Sequence, residues 1–312
     1  MNVDYVTLSN LIIDDIVLPE GKTYMNTLGG AGLHALVGMR VWNDALGYAA
    51  VAGADLGAEH RQALARFGVD LKGLLIRSDY LTARAWQVFE LDERRIEVFR
   101  TDFDEFERQK ITLSELPGAY RKARGFHLQW GSLSELENVV NSLHATNPDM
   151  VFVLEVSPDH LDQPAAAFRS LLPQVTAFAP DLKEAEMITA RSDPADMCRV
   201  LLDWGVPIVA LRMGERGSLL FNNSDDGCFL PAAPATIVDV TGAGNSYCGG
   251  LLTGLGDGLS VLESGLRAVV SASFALEQFG LPAWAAPPEA EALRRLAWAR
   301  NRVERADGQW RA

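Results

Sequence analysis

Basic residues are scarce in this chain. Its 312 residues hold 28 Lys and Arg against 41 Asp and Glu, a net charge of −13. A nucleic-acid-binding surface needs clustered cations, so that class of partner is not expected. A small anionic ligand stays within reach, because one basic or amide-lined pocket suffices for it. Cysteine is scarce too: Cys198, Cys228 and Cys248 are scattered and odd in number. That spacing fits neither a disulfide framework nor a zinc site, and Cys248 reads as a small buried hydrophobe rather than a reactive thiol. No apolar run reaches membrane-spanning length, and no basic segment leads into one at the N-terminus. No membrane association is expected, and the cytoplasm is the expected compartment. Internal repeats and low-complexity tracts are lacking as well.

What is present is an ordinary globular composition, 48% hydrophobic and 22% charged. The length suits a single domain over residues 1–312. Short apolar runs alternate with amphipathic segments. Leu46–Ala52, Gly125–Trp130, Met150–Glu155, Val175–Ala179, Pro207–Leu211 and Ser218–Phe221 read as buried strands. Helices are expected over Glu59–Phe67, Ser134–His144, Lys183–Ala190, Ala195–Trp204, Gly244–Leu252 and Leu262–Phe279. A last one runs from Glu289 to about Val303, introduced by Pro287-Pro288. This alternation predicts a three-layer α/β sandwich with a mainly parallel central sheet, whose ligands sit at the carboxyl ends of the strands. Residues 11–27 and 80–103 break the rhythm. The second pairs Thr82–Leu91 with Ile96–Arg100 across a polar turn at Asp92–Arg95, which reads as a hairpin. Hairpin strands do not fit a parallel core, so both segments are expected to form a small β lid.

The stretch from Asp239 to Gly250 reads Asp-Val-Thr-Gly-Ala-Gly-Asn-Ser-Tyr-Cys-Gly-Gly. Glycines let the loop turn its N–H groups toward one point, and the helix start that follows adds roughly half a positive charge. Such a loop binds a phosphate or stabilises an anionic transition state. The stretch resembles the C-terminal signature of the ribokinase/PfkB carbohydrate kinase family, D-x-T-G-A-G-D-x-[FY]-x-x-G. Every signature position matches except the last Asp, which is Asn245 here.

Other blocks extend the resemblance over nearly the whole chain. Ser9 to Asp14 is similar to the family's first-strand pattern, and Asp14 stands where an Asp binds sugar hydroxyls, with Asp15 as a competing candidate. Gly29-Gly30-Ala31-Gly32-Leu33-His34 resembles G-G-x-x-x-N, which lies against the substrate, with His34 in place of Asn. His34 reads equally well as a satisfied histidine on a helix face. Pro180 to Glu184 resembles N-x-x-E, with Asp181 for Asn and Glu184 retained. That pair orders magnesium beside the nucleotide phosphates in the family, and it also has the spacing of a capping box. Leu211 to Gly217 resembles the nucleotide segment T-x-G-x-x-G. It keeps Gly214 and Gly217 and carries Arg212 for Thr, which could clamp a phosphate or narrow the cleft. Asp239 and Thr241 stand where the family places a monovalent cation.

The resemblance implies ATP-dependent phosphoryl transfer to a hydroxyl of a sugar, nucleoside or related metabolite, with Mg2+ and room for K+. The transition state would be held by Gly242, Ala243 and Gly244, and a homodimer would form through the lid, where Trp86, Val88, Phe89 and Val98 are apolar. The family's base is the Asp that Asn245 replaces. An Asn has no basic site at neutral pH but can still hydrogen-bond the hydroxyl. Three readings follow: a kinase with another base, such as Asp14, Asp15 or Glu155; a catalytically impaired member acting as sensor, scaffold or regulator; or a rebuilt site with different chemistry.

Overall fold

The structure, a computed structural model, describes residues 2–91, 95–223, 225–284 and 289–305. Its strands are β1 Tyr5–Leu8, β2 Ile12–Val17, β3 Thr23–Gly29, β4 Leu46–Gly53, β5 Leu74–Arg77, β6 Ala83–Phe89, β7 Arg95–Phe99, β8 Gly125–Leu128, β9 Val151–Leu154, β10 Ala177–Phe178, β11 Ile208–Arg212, β12 Ser218–Asn222, β13 Asp225–Leu230 and β14 Glu304–Arg305. The helices are α1 Ala31–Arg40, α2 Ala58–Phe67, α3 Phe103–Arg108, α4 Leu133–His144, α5 Pro158–Leu161, α6 Ala165–Leu171, α7 Leu182–Thr189, α8 Pro194–Asp203, α9 Ala243–Gly256, α10 Val261–Ala275 and α11 Glu289–Arg300.

Ten strands form one sheet in the order β14-β13-β12-β11-β10-β9-β8-β1-β4-β5. From β11 to β5 the pairing is parallel, and β12, β13 and β14 add an antiparallel edge. Alternate residues of each strand feed opposite faces, because successive side chains point to opposite sides. Val6, Leu8, Phe126, Leu128, Phe152 and Leu154 pack with α4, α6 and α8. Tyr5, Tyr48, Ala50, Val153 and Ala210 pack with α1, α2, α9 and α10. Thr7 pairs in register with His127, and His127 with Val153, on this second face. That parity later brings Thr7, His127 and Glu155 together under α9.

A separate four-stranded sheet, ordered β3-β2-β6-β7, is the expected lid. β2 runs parallel to β6 and antiparallel to β3. Residues 92–94 of the turn expected at Asp92–Arg95, and the Pro287-Pro288 helix start, lie outside the described residues; Arg95 opens β7. The chain also carries α3, directly after β7, which the sequence pattern did not announce. Among the described residues no helix is long and apolar enough to cross a membrane.

Candidate active site

A cavity of about 450 Å³ opens at the carboxyl ends of β1, β8 and β9, beneath the lid. Asp14, Gly30, His34, Gly242 and Asn245 all border it, so one half of the sequence motifs meets the other. Asp14 is placed by the inner face of β2. Its Oδ1 accepts a hydrogen bond from Gln87 Nε2 at 3.2 Å, and burial pushes its carboxyl up to about 6. Gly29 sits behind it; a Cβ there would fall 1.8 Å from Asp14 Oδ2, so this glycine makes room for the carboxylate. Asp15, the competing candidate, does not border the cavity: it takes the Asn26 backbone N–H and pairs with Arg100. Gly30 caps α1, which puts His34 one turn in. His34 is buried and its Nε2 has no protein partner. Burial first, and Arg95 second, bring its imidazole down to about 4, so it is neutral at physiological pH.

The glycine loop meets the same cavity. Asp239 Oδ1 accepts the Thr241 N–H at 2.8 Å, which turns the chain. Gly242 caps α9 at φ 77°, and Ala243 is the first residue of that 14-residue helix. The helix N-terminus therefore points its free N–H groups toward the space above His34. Arg95, on the lid strand β7, reaches down to within 3.4 Å of Thr241 Oγ1.

Behind the loop lies a buried ionic cluster centred on Glu155. Its Oε2 accepts from Asn245 Nδ2 at 2.8 Å and from His127 Nε2 at 2.9 Å, and its Oε1 takes Arg212 Nη1 at 2.5 Å. The Cys248 thiol lies within 4.8 Å of it. Burial alone would raise this carboxyl, but Arg212, His127 and Asn245 outweigh it and hold the group at about 2. The His127 ring is braced from the other side by Thr7 Oγ1 at 2.9 Å. Because Nδ1 meets the threonine and Nε2 meets a carboxylate, Nε2 carries the proton. Among the described residues, only His127, Glu155 and Cys248 bring metal-ligating atoms within 4.8 Å of one another. Glu155 already accepts from a guanidinium, an imidazole and an amide, so protein donors hold both of its oxygens.

Arg212, read from sequence as clamping a phosphate or narrowing the cleft, lies among protein carboxylates. Its Nη1 serves Glu155 and its Nη2 lies 3.3 Å from Glu184 Oε2, while its buried Nε has no protein partner. A Cβ on Gly244 would come within 2.1 Å of Arg212 Nη1, so this glycine lets the guanidinium lie against the start of α9. Asp181 and Glu184 form the capping box of α7, with exchanged bonds of 2.7 and 2.6 Å. Burial, partly offset by Arg212, pushes Glu184 up to about 7. Gly214 and Gly217 shape the turn after β11 and do not border the cavity. Cys248 is buried, as expected of a small hydrophobe.

Several cavity residues were not singled out by sequence. Gln87, Arg95, Gln129, Trp130 and Ser157 border it, with Phe99, Phe103 and Phe106. The buried atoms Ser9 Oγ, His34 Nε2, Gln87 Oε1, Gln129 Oε1, Trp130 Nε1 and Ser157 Oγ have no protein partner. Buried polar groups are otherwise almost always paired, so these atoms mark a surface made for a polar ligand. Gln129 Nε2 donates to the Val156 carbonyl at 2.9 Å, which fixes Oε1 as a free acceptor. A usable signal existed: Gln129, Trp130 and Ser157 follow directly on the apolar runs of β8 and β9, where ligands of parallel sheets bind.

Known proteins share this fold. The chain is 26% identical over 269 residues to a cytidine kinase of Thermococcus kodakarensis, covering 84% of this chain and 91% of that one. The Burkholderia thailandensis nucleoside kinase in complex with inosine superposes with a TM-score of 0.76 at 18% identity, over 95% of this chain and 97% of that one. A ribokinase from Cryptococcus neoformans in complex with ADP gives 0.75 at 18% identity, over 94% and 99%. The pfkB family carbohydrate kinase pattern matches residues 1–286, a span that takes in the lid, the acceptor cavity and the glycine loop alike. The chain belongs to the pfkB family of carbohydrate kinases.

Proposed function

We propose that the protein transfers the terminal phosphoryl group of ATP to a hydroxyl of a nucleoside. The observation that carries this reading is the mixed lining of the acceptor cavity. Tyr80, Phe99, Phe103, Phe106 and Trp130 offer flat apolar surface, while Asp14, Gln87 and Gln129 offer hydrogen-bond acceptors beside it. A nucleobase stacks on aromatic rings for about 1–3 kcal/mol, and a ribose supplies hydroxyls for a carboxylate. The cytidine kinase and nucleoside kinase relatives support the same class. A catalytically impaired binding role draws no support from these relatives, which are named as kinases.

The glycine loop and the N-terminus of α9 would stabilise the charge of the transferring group. Asp181 and Glu184 suit magnesium: the capping box uses Oδ1 and Oε2, which leaves Oδ2 and Oε1 as hard oxygens toward a metal's water shell. Magnesium would neutralise phosphate charge there. Asp239 is buried, and burial raises its carboxyl against the opposing Thr241 N–H and Arg95; it is the residue that would hold potassium. ATP as donor fits a cytoplasmic protein.

The test is a pooled assay of nucleosides and free sugars with ATP and magnesium, read by mass spectrometry. Nucleoside monophosphates are the expected products. Phosphorylated free sugars without any nucleotide product would overturn the nucleoside assignment.

Asp14 is proposed to accept hydrogen bonds from substrate hydroxyls. Its carboxylate must be charged for this, so kcat/KM is expected to fall as pH drops through about 6. Asp14→Asn should lower kcat/KM by about 10- to 100-fold and remove that limb of the profile. A limb that survives in Asp14→Asn belongs to another group.

We also assign the outer face of the lid to a second copy of this chain. Trp86 and Val98 are cross-strand neighbours and 45% and 42% exposed, and Ile96 lies beside them. Sedimentation at twice the 34.0 kDa chain mass is expected, with Trp86→Glu sedimenting as the monomer.

A further inference from the structure

We propose that Glu155 is a positioning residue for the transfer step: it fixes the Asn245 amide so that Oδ1 faces the acceptor cavity and receives the hydrogen bond of the attacking hydroxyl. The inference rests on the kinase reading for its activity readout and on the geometry alone for its stability readout. Asn245 Nδ2 donates to Glu155 Oε2 at 2.8 Å, and Asn245 borders the cavity. An amide whose nitrogen is bound on one side presents its oxygen on the other. A carboxylate cannot accept from an oxygen, so the Glu155 bond also settles which way the amide is turned.

The same pairing explains why position 245 holds Asn. An Asp there would set a second carboxylate at hydrogen-bond distance from Glu155 with no proton between them. The groups facing Glu155 are His127 from β8, Arg212 from β11, and Asn245 and Cys248 from α9, with Glu184 of α7 behind Arg212. One guanidinium cannot satisfy Glu155, Glu184 and a further anion, so one of two such carboxylates would hold a proton.

Transfer then proceeds without a protein base at this position. The hydroxyl oxygen bonds to the terminal phosphorus as the bond from that phosphorus to the bridging oxygen breaks and the nucleoside diphosphate leaves. Asn245 orients the hydroxyl but cannot take its proton. The proton passes to a non-bridging oxygen of the transferred phosphoryl group, whose second pKa is about 6, and from there to solvent.

The experiment compares Asn245→Asp, Glu155→Gln and the double variant with the unmodified protein, by thermal unfolding and by kcat at about pH 6 and about pH 8. The exchange conserves charge and restores one amide facing one carboxylate. Asn245→Asp is expected to melt lower, with the deficit larger at the higher pH, and to lose about tenfold or more in kcat. The double variant is expected to regain both. An Asn245→Asp protein that melts with the unmodified one at both pH values, or a double variant that merely adds the two single losses, would overturn the pairing. If the unmodified protein phosphorylates no nucleoside, the melting comparison still decides the pairing, and only the substrate reading has failed.

Discussion

Glu155→Ala is expected to lower the unfolding free energy by about 3–5 kcal/mol, measured by urea denaturation at neutral pH. The variant leaves Arg212 buried with only Glu184, at 3.3 Å, against its charge. His127 and Asn245 lose their acceptor in the same step. Each such buried donor left unmade costs more than the net gain of the bond it replaced. The pH dependence has a definite sign. Folding lowers the Glu155 carboxyl from 4.5 to about 2, so its contribution is complete above about 4.5 and fades as pH falls through about 2. The gap between Glu155→Ala and the unmodified protein should therefore close in acid. A gap that stays constant down to the acid end would mean that charge is not what Glu155 contributes.

That cluster also marks where sequence reading stops. β4, β8, β9 and β11 were legible because each is a continuous apolar run, as buried parallel strands are. The end of α2 at Phe67 was legible because a glycine follows it, and Gly68 takes the left-handed cap conformation at φ 83°. The edge strands β13 and β14 were not, since Asp225-Asp226-Gly227 has the composition of a turn and β14 is two residues long. The helix α3 has six residues, too few to show a period, yet it brings Phe103 and Phe106 to the cavity.

In the site, Asp14, Gly30, His34, Gly242 and Asn245 were found because they lie in ordered motifs. Glu155 was visible only as one spare carboxylate among others. Its partners are 28, 57 and 90 positions away, and only strand register brings them to it. The partners of Arg212 were hidden for the same reason: Glu155 and Glu184 lie 57 and 28 positions away. Gln87 and Gln129 needed the lid and the strand ends in space before their free oxygens had meaning.

Gly242→Ala is expected to reduce kcat by about 10²- to 10³-fold, the range seen when a donor to a developing anion is lost. Two separate causes act at this residue. Its φ of 77° is a left-handed conformation that costs a Cβ-bearing residue about 1–2 kcal/mol. An added Cβ would also fall 2.0 Å from His34 Cγ, well inside contact distance. His34 cannot retreat easily, because it is fully buried on α1 and its carbonyl accepts the Ser246 hydroxyl at 2.6 Å. The start of α9 must therefore move, and with it the N–H groups proposed to stabilise the transferring phosphoryl group. Asp14 and the cavity aromatics lie on other elements, so nucleoside affinity should change far less than kcat. The measurement that separates these is binding of the nucleoside alone, by calorimetry, beside steady-state turnover. Affinity falling in step with kcat would show that the change had spread through α1 to Gly30 and the acceptor side, and that the loop's donors are not what the substitution removes.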